Sequence, residues 1–165
     1  TIVQTYAYAC ADAKEAKDIR QFSPIDRIEY NRTGTPWPLL DRDFVYRTTV
    51  EADRVKRVLR VFIRSVEDER MPARSGIVRG ELMHSSYLLT EAGDGTRVRV
   101  EIHADPKGAV PKWAVNLVQK GWPKATLEGL RRQVAKPDVF EDATLRAYFD
   151  QGLKPDWATQ SAQKK

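Results

Sequence analysis

Residues able to do chemistry are sparse in this chain, and their spacing limits what they can do. Glu101 and His103 lie two apart, so on a strand their side chains share one face. Acid–base or metal chemistry needs more partners than that pair offers. The sequence has only two histidines, His84 and His103, and one cysteine, Cys10. A lone cysteine excludes an internal disulfide and a cysteine-based zinc cluster. His84 stands between Met83 and the Ser85-Ser86 pair without a spacing that would set a nucleophile against a base. Arg79 and Glu81 repeat the two-residue spacing; an ion pair or a solvated strand face both fit it. This inventory implies no metal and no cofactor.

The chemistry for which the sequence is better supplied is removal of apolar surface from water. Val98, Val100 and Ile102 alternate with Arg97, Arg99, Glu101 and His103, which gives one apolar and one wet face. Leu59, Val61 and Ile63 repeat the pattern one strand earlier. Such faces either fill a dry core or form the walls around an apolar ligand.

The elements that must carry these faces are mostly strands. Gly93-Asp94-Gly95 is the clearest turn, because glycine and Asp-Gly tolerate the positive φ of a tight hairpin. The patterning predicts strands over 27–35, 43–51, 56–67, 77–90 and 96–104, with a turn at Ala52-Asp53 and a rigid loop over 35–41. Residues 7–20 are rich in good helix formers and read as a short helix ended by Pro24. After a turn at Asp105-Pro106-Lys107-Gly108, a long amphipathic helix is expected over 111–136, kinked at Pro123. Trp113, Ala114, Leu117, Val118, Gly121, Trp122 and Ala125 form its apolar stripe. A weaker helical piece follows at 141–150. The order is that of an α+β fold, an antiparallel sheet with its helices to one side.

Charge is unevenly placed. The chain carries a net charge of +5 at pH 7. Residues 111–136 hold Lys112, Lys120, Lys124, Arg131, Arg132 and Lys136 against the single acid Glu128. Lys112, Lys120, Lys124 and Arg131 fall largely opposite the Trp113–Trp122 stripe. A helix with one cationic face suits either water or an anionic membrane surface. Nucleic acid is the other anionic partner that charge alone would allow. No zinc-finger, helix-turn-helix or RNA-recognition signature supports it.

Four segments, in order, resemble the START family of lipid-transfer domains. They are Pro36-Trp37-Pro38-Leu39-Leu40-Asp41-Arg42-Asp43-Phe44-Val45, Gly76-Ile77-Val78-Arg79, Asp105 to Asn116, and Pro123-Lys124 with Leu127, Leu130 and Arg131. The resemblance covers roughly 10–136 and implies a helix-grip fold: a curved sheet wrapped around a C-terminal helix that closes a lipid tunnel. It makes Leu59, Val61, Ile63, Val98, Val100, Ile102, Trp113, Leu117 and Val118 candidate tunnel lining. Glu29 stands where sterol-binding relatives carry an acid that pairs with an arginine. The matching arginine position holds Thr48, and Arg47 beside it points to the opposite face. Tyr46, with Tyr30 and Tyr87, could offer a hydroxyl to a headgroup. The family's N-terminal helix and first strands precede the part matched here, so the sequence reads as part of a larger domain, over 1–136, with a tail over 137–165.

The expected function is binding and transfer of a lipid or similar apolar molecule. The alternative is an enzyme of the wider helix-grip superfamily, such as a polyketide cyclase or aromatase, with Glu29, Tyr46 and Arg79 as acid–base candidates. No run of apolar residues is long enough for a spanning helix. The compartment stays open: cytoplasmic, or periplasmic or secreted if a leader has been removed.

Overall fold

The computed structural model describes residues 13–111, 124–137, 139 and 143–151. Seven strands form one sheet: β1 (Ala13–Ser23), β2 (Asp26–Thr33), β3 (Asp41–Asp53), β4 (Val58–Ser65), β5 (Ile77–Arg79), β6 (Glu81–Ala92) and β7 (Gly95–Asp105). The order across the sheet is β1-β2-β3-β4-β6-β7, with β5 off this path and paired to β3. Every pairing is antiparallel except β3 with β5. Residues 124–134 are helical (α1), and a second helix (α2) spans Ala143–Gln151.

β3 is the spine. One edge pairs with β2 from Arg42 to Thr49. The other pairs with β5 at Asp41–Asp43 and then with β4 from Tyr46 to Asp53. Its burial is nearly continuous, as expected of a central strand covered on both faces. The larger apolar cluster, on what is termed here the inner face, contains Ile25, Tyr46, Val50, Val61, Ile63 and Tyr87, with Phe44, Leu59, Leu82, Leu89, Val98 and Val100 packed against it. A smaller cluster on the outer face joins Ile28, Tyr30, Val45 and Met71.

Two expectations fail. The helix expected over 7–20 is a strand from residue 13 onward; residues 7–12 lie outside the described part. Ala13, Lys14, Ala16 and Lys17 favour helix locally, but β2 presents a row of backbone donors and acceptors, and pairing with it satisfies both strands. β1 has the marks of an edge: register shifts at three places and a charged sequence, both of which discourage further pairing. The single strand expected over 77–90 is divided at Gly80, where the chain leaves β3 to join β4. The Gly80 N–H donates to the Asp43 carbonyl at 2.9 Å.

The hairpin at Gly93-Asp94 closes as expected, with Ala92 opposite Gly95 and Gly93 at φ 62°. Beyond β7, residues 112–123, and with them the first part of the expected long helix and its Pro123 kink, lie outside the described residues. The part that is described, 124–134, is helical as anticipated. Thr126 and Gly129 are buried on one side, while Lys124, Glu128, Arg131 and Arg132 face water.

Gly80 is fixed by close approach. A Cβ there would lie 2.3 Å from Phe44 Cε1 and 2.7 Å from its Cζ. Gly80→Ala should therefore cost about 1–3 kcal/mol, the usual scale of overpacking. Urea denaturation would measure it, and a Phe44→Leu background should recover most of the loss by making room.

Candidate functional site

Strand parity places the expected wall residues on a common face. Register pairs Val50 with Val61, Val61 with Tyr87, and Tyr87 with Val100; the adjacent row runs from Leu59 through Leu89 to Val98. Ile63 lies opposite Thr48 and Ser85, and Ser85 opposite Ile102. Val61 and Ile63 are buried, whereas Leu59, Val98, Val100 and Ile102 are only half-buried. The apolar face is thus continuous over β3, β4, β6 and β7. Trp113, Leu117 and Val118, with Lys112 and Lys120, lie outside the described residues.

The same face turns polar toward β2. Glu29 is opposite Tyr46 and is 1% exposed; Thr48, also 1% exposed, donates its hydroxyl to Glu29 Oε2. Glu29 Oε1 is buried with no hydrogen-bond partner. Burial pushes the Glu29 carboxyl up from 4.5 to about 7; the Thr48 bond and the Arg27 charge oppose the shift, and Asp18 adds to it. The cause is loss of hydration for the ionised form, which this apolar face does not replace.

Sequence reasoning missed Arg27, Asn31 and Asp18 here. Arg27 is 5% exposed, and its guanidinium lies 3.6 Å from Asp18 on β1. Arg27, Glu29 and Asn31 share one parity on β2, and Asp18 is opposite Glu29. The two-residue spacing was visible; that β1 is a strand able to bring Asp18 alongside was not. Ser85 Oγ, on β6, and Thr126 Oγ1, on α1, are also buried without a hydrogen-bond partner.

Other candidates fall on the opposite face or at the margins. Arg47 forms a two-pronged pair with Asp26, at 2.7 and 2.5 Å, and stacks over Phe22. It takes no part in the Glu29 site, as alternation requires. Arg79 and Glu81 do not pair with each other. Arg79 grips Asp43 at 2.8 and 3.1 Å, and Glu81 pairs with Lys107 at 2.9 Å. The break at Gly80 separates them, so Arg79 is a structural partner of a buried aspartate and not an inward acid–base group. Tyr30 is fully buried on the outer face, where Arg74 donates to its hydroxyl and the Lys17 ammonium lies 5.2 Å from its ring centre. Tyr46 and Tyr87 remain on the inner face. Glu101 and His103 are exposed on the outer side, with the His84 and His103 rings 6.4 Å apart. Among the described residues no group of three or more His, Cys, Asp and Glu could hold a metal ion. Lys124 and Arg131 are exposed on α1, and Lys124 stands 3.8 Å from Glu128.

An antiparallel sheet with one apolar face, a buried carboxyl on it and a C-terminal helix defines the class of helix-grip lipid-binding folds. The START domain profile matches residues 10–135, and the chain belongs to that family. An uncharacterized Pseudomonas aeruginosa protein is 28% identical over 132 residues, covering 79% of this chain and 62% of the relative. The mouse phosphatidylcholine transfer protein is 29% identical over 97 residues, 56% of this chain and 45% of its own length. The chain thus spans less than two thirds of these relatives. The solved structure of a STAR-related lipid transfer protein fragment from Xanthomonas axonopodis superposes with a TM-score of 0.66 at 27% identity, covering 81% of this chain and 76% of that one. The fold is the helix-grip fold of these proteins, and lipid binding is the activity of the family.

The Glu29 carboxyl is protonated more readily in the folded chain than in the unfolded one. Its contribution to stability is therefore full below pH 4.5 and is lost as pH rises through about 7. Comparing wild type with Glu29→Gln by denaturation across this window isolates the effect. Wild type should lose up to about 3 kcal/mol relative to the glutamine variant, the free-energy equivalent of the shift.

Proposed function

We propose that this chain shelters one lipid on the inner face of its sheet and hands it between membranes. The observation that carries this reading is the unbroken apolar face from Val50 to Val100 ending at the buried Glu29–Thr48 pair. Leu59, Val61, Ile63, Val98, Val100 and Ile102 would form the wall, completed by Trp113, Leu117 and Val118 from the helix. Covering acyl chains there gains roughly 25 cal/mol per Å² removed from water. A ligand site of this kind needs only a few polar groups to orient its headgroup. Glu29, Thr48 and Tyr46 supply them, and Arg27 adds a buried positive charge beside them.

Transfer requires the ligand to leave, and the C-terminal helix is the element proposed to move. Its basic residues Lys112, Lys120, Lys124 and Arg131, of which Lys124 and Arg131 are exposed among the described residues, would hold it against an anionic surface while it does so. The names of the mouse and Xanthomonas relatives, which both denote lipid transfer, support the reading.

One observation favours a second reading. A carboxyl held at about 7 inside an apolar site is suited to general acid–base work, as a polyketide cyclase-like enzyme would require. Glu29, with Tyr46, would carry that chemistry.

Native mass spectrometry of the purified chain, followed by organic extraction, tests the carrier reading. A bound lipid released intact supports it; turnover of an aromatic polyketide chain that vanishes in Glu29→Gln would replace it with the enzyme. Charge reversal at Lys120 and Lys124 should weaken sedimentation with anionic liposomes several-fold, and unchanged sedimentation would remove the helix from the membrane contact.

A further inference from the structure

β6 carries one extra residue near its start. Against β7, Leu82 lies opposite Ala104 and His84 opposite His103, so two steps along β6 match a single step along β7. The irregularity is a β-bulge. Leu82 packs against the inner apolar cluster, and Ser85, opposite Ile102, is buried on the same face. Strict alternation would send two residues three apart to opposite faces. The bulge returns both to the inner face and leaves Met83 and His84 side by side on the outer one. Met83 is 53% exposed, and His84 and His103 are exposed as well.

Two imidazoles and a thioether therefore meet at the surface. His84 and His103 face each other across β6 and β7, with ring centroids 6.4 Å apart and planes tilted by 50°. An ion bound ~2 Å from one nitrogen of each ring sits about 3 Å from each centroid, so two rings on either side of one ion span roughly 6 Å. The observed separation has that size, and rotation about the exposed side-chain bonds turns the nitrogens inward. Met83 follows on the same side, its Cα about 3.8 Å from that of His84. The carboxylates nearby are already engaged. Glu81 and Asp105 both hold Lys107, at 2.9 and 2.8 Å, and Glu101 is held by Arg99 at 2.6 Å. Arg64, one residue beyond the Ile63–Ser85 pair, shares this face of the sheet and repels a doubly charged ion more than a singly charged one. The donors left over are two nitrogens and one sulfur.

We propose that Met83, His84 and His103 bind a copper(I) ion on the outer face, clipping β6 to β7. Calcium and magnesium take oxygen ligands, and the engaged carboxylates offer them few. Zinc suits imidazole, but its structural sites draw on a full tetrahedron of protein nitrogen, sulfur and oxygen donors that this surface lacks. A thioether is a soft ligand and selects copper(I), which is content with a low coordination number. The site lies on the face opposite Glu29 and the apolar wall, so it stands apart from the lipid reading.

Competition for copper(I) against the chromogenic chelator bicinchoninate, under anaerobic reducing conditions, measures the affinity. The 165-residue chain carrying Cys10→Ser is the starting point, so that its one thiol takes no copper. A single ion per chain should bind. His84→Ala and His103→Ala should each weaken binding by roughly 10–100-fold, since losing a ligand is no milder than losing a group that supports one. Met83→Leu should weaken copper(I) binding roughly tenfold and leave zinc(II) binding unchanged, because zinc makes little use of a thioether. A measurement on the unaltered site guards against misfolded variants: in NMR, copper(I) should shift the methyl resonance of Met83 and leave that of buried Met71 in place. Unchanged copper(I) affinity in either histidine variant would overturn the proposal, as would a Met83 methyl that copper(I) does not move. Equal losses of copper(I) and zinc(II) in Met83→Leu would also overturn it, since the thioether would then select neither ion.

Discussion

The register of β3 against its neighbours is the constraint on which the rest of the molecule depends. Phe44, Tyr46, Thr48 and Val50 point one way and Asp43, Val45, Arg47 and Thr49 the other, because β3 pairs with β2 and β4 without a register shift and its side chains therefore alternate. A slip by one residue would turn Arg47 into the apolar cluster and Tyr46 and Thr48 out of it. Three neighbouring strands hold the register at once: β2 along one edge, and β5 and then β4 along the other. The charged pairs on the outer side act in the same sense. Asp43 with Arg79 and Asp26 with Arg47 are two-pronged, and each joins β3 to a different neighbour. Breaking such a pair leaves a charge stranded at the sheet, so a shifted register is penalised on both faces.

That division of labour explains the placement of charge. Most arginine and lysine side chains near the sheet work on the outer face or at its margins, closing ion pairs or stacking on aromatic rings such as Tyr30 and Phe22. The inner face is kept nearly free of them. Among the described residues Arg42, at one end of β3, shares the inner parity and is spent on loop carbonyls, while Arg27, Asp18 and Glu29 gather at the β1–β2 side. A carboxyl there meets a surface that hydrates it poorly, and its proton affinity rises. The polar end of the inner face is thus a consequence of where β1 pairs, as much as of the residues on β2.

Much of this was legible from residue order. Leu59, Val61 and Ile63, and Val98, Val100 and Ile102, alternate with polar neighbours strictly enough to assign their faces. The Gly93-Asp94 hairpin announced itself through its glycine. The proline-rich loop, the turn at 105–108 and the segments that resemble the START family gave the fold. Residues 13–20 misled for a physical reason: alanine and lysine favour helix in isolation, and an edge strand carries too few apolar residues to show period two. The partners of Arg79 were equally hidden, since Asp43 lies far from it in sequence and only the parallel β3–β5 pairing brings them together.

Alternation and turn chemistry are local, so the sequence alone determined the strands of the inner face, their apolar composition and the family. Tertiary structure decided which polar residues join that face. Asp18 reaches Glu29 through the β1–β2 pairing, Thr48 reaches it across β2 and β3, and Arg42 bridges two loops distant in the chain. A hydrogen bond or ion pair depends on distance in space, and no periodicity along the chain records which distant segments will meet.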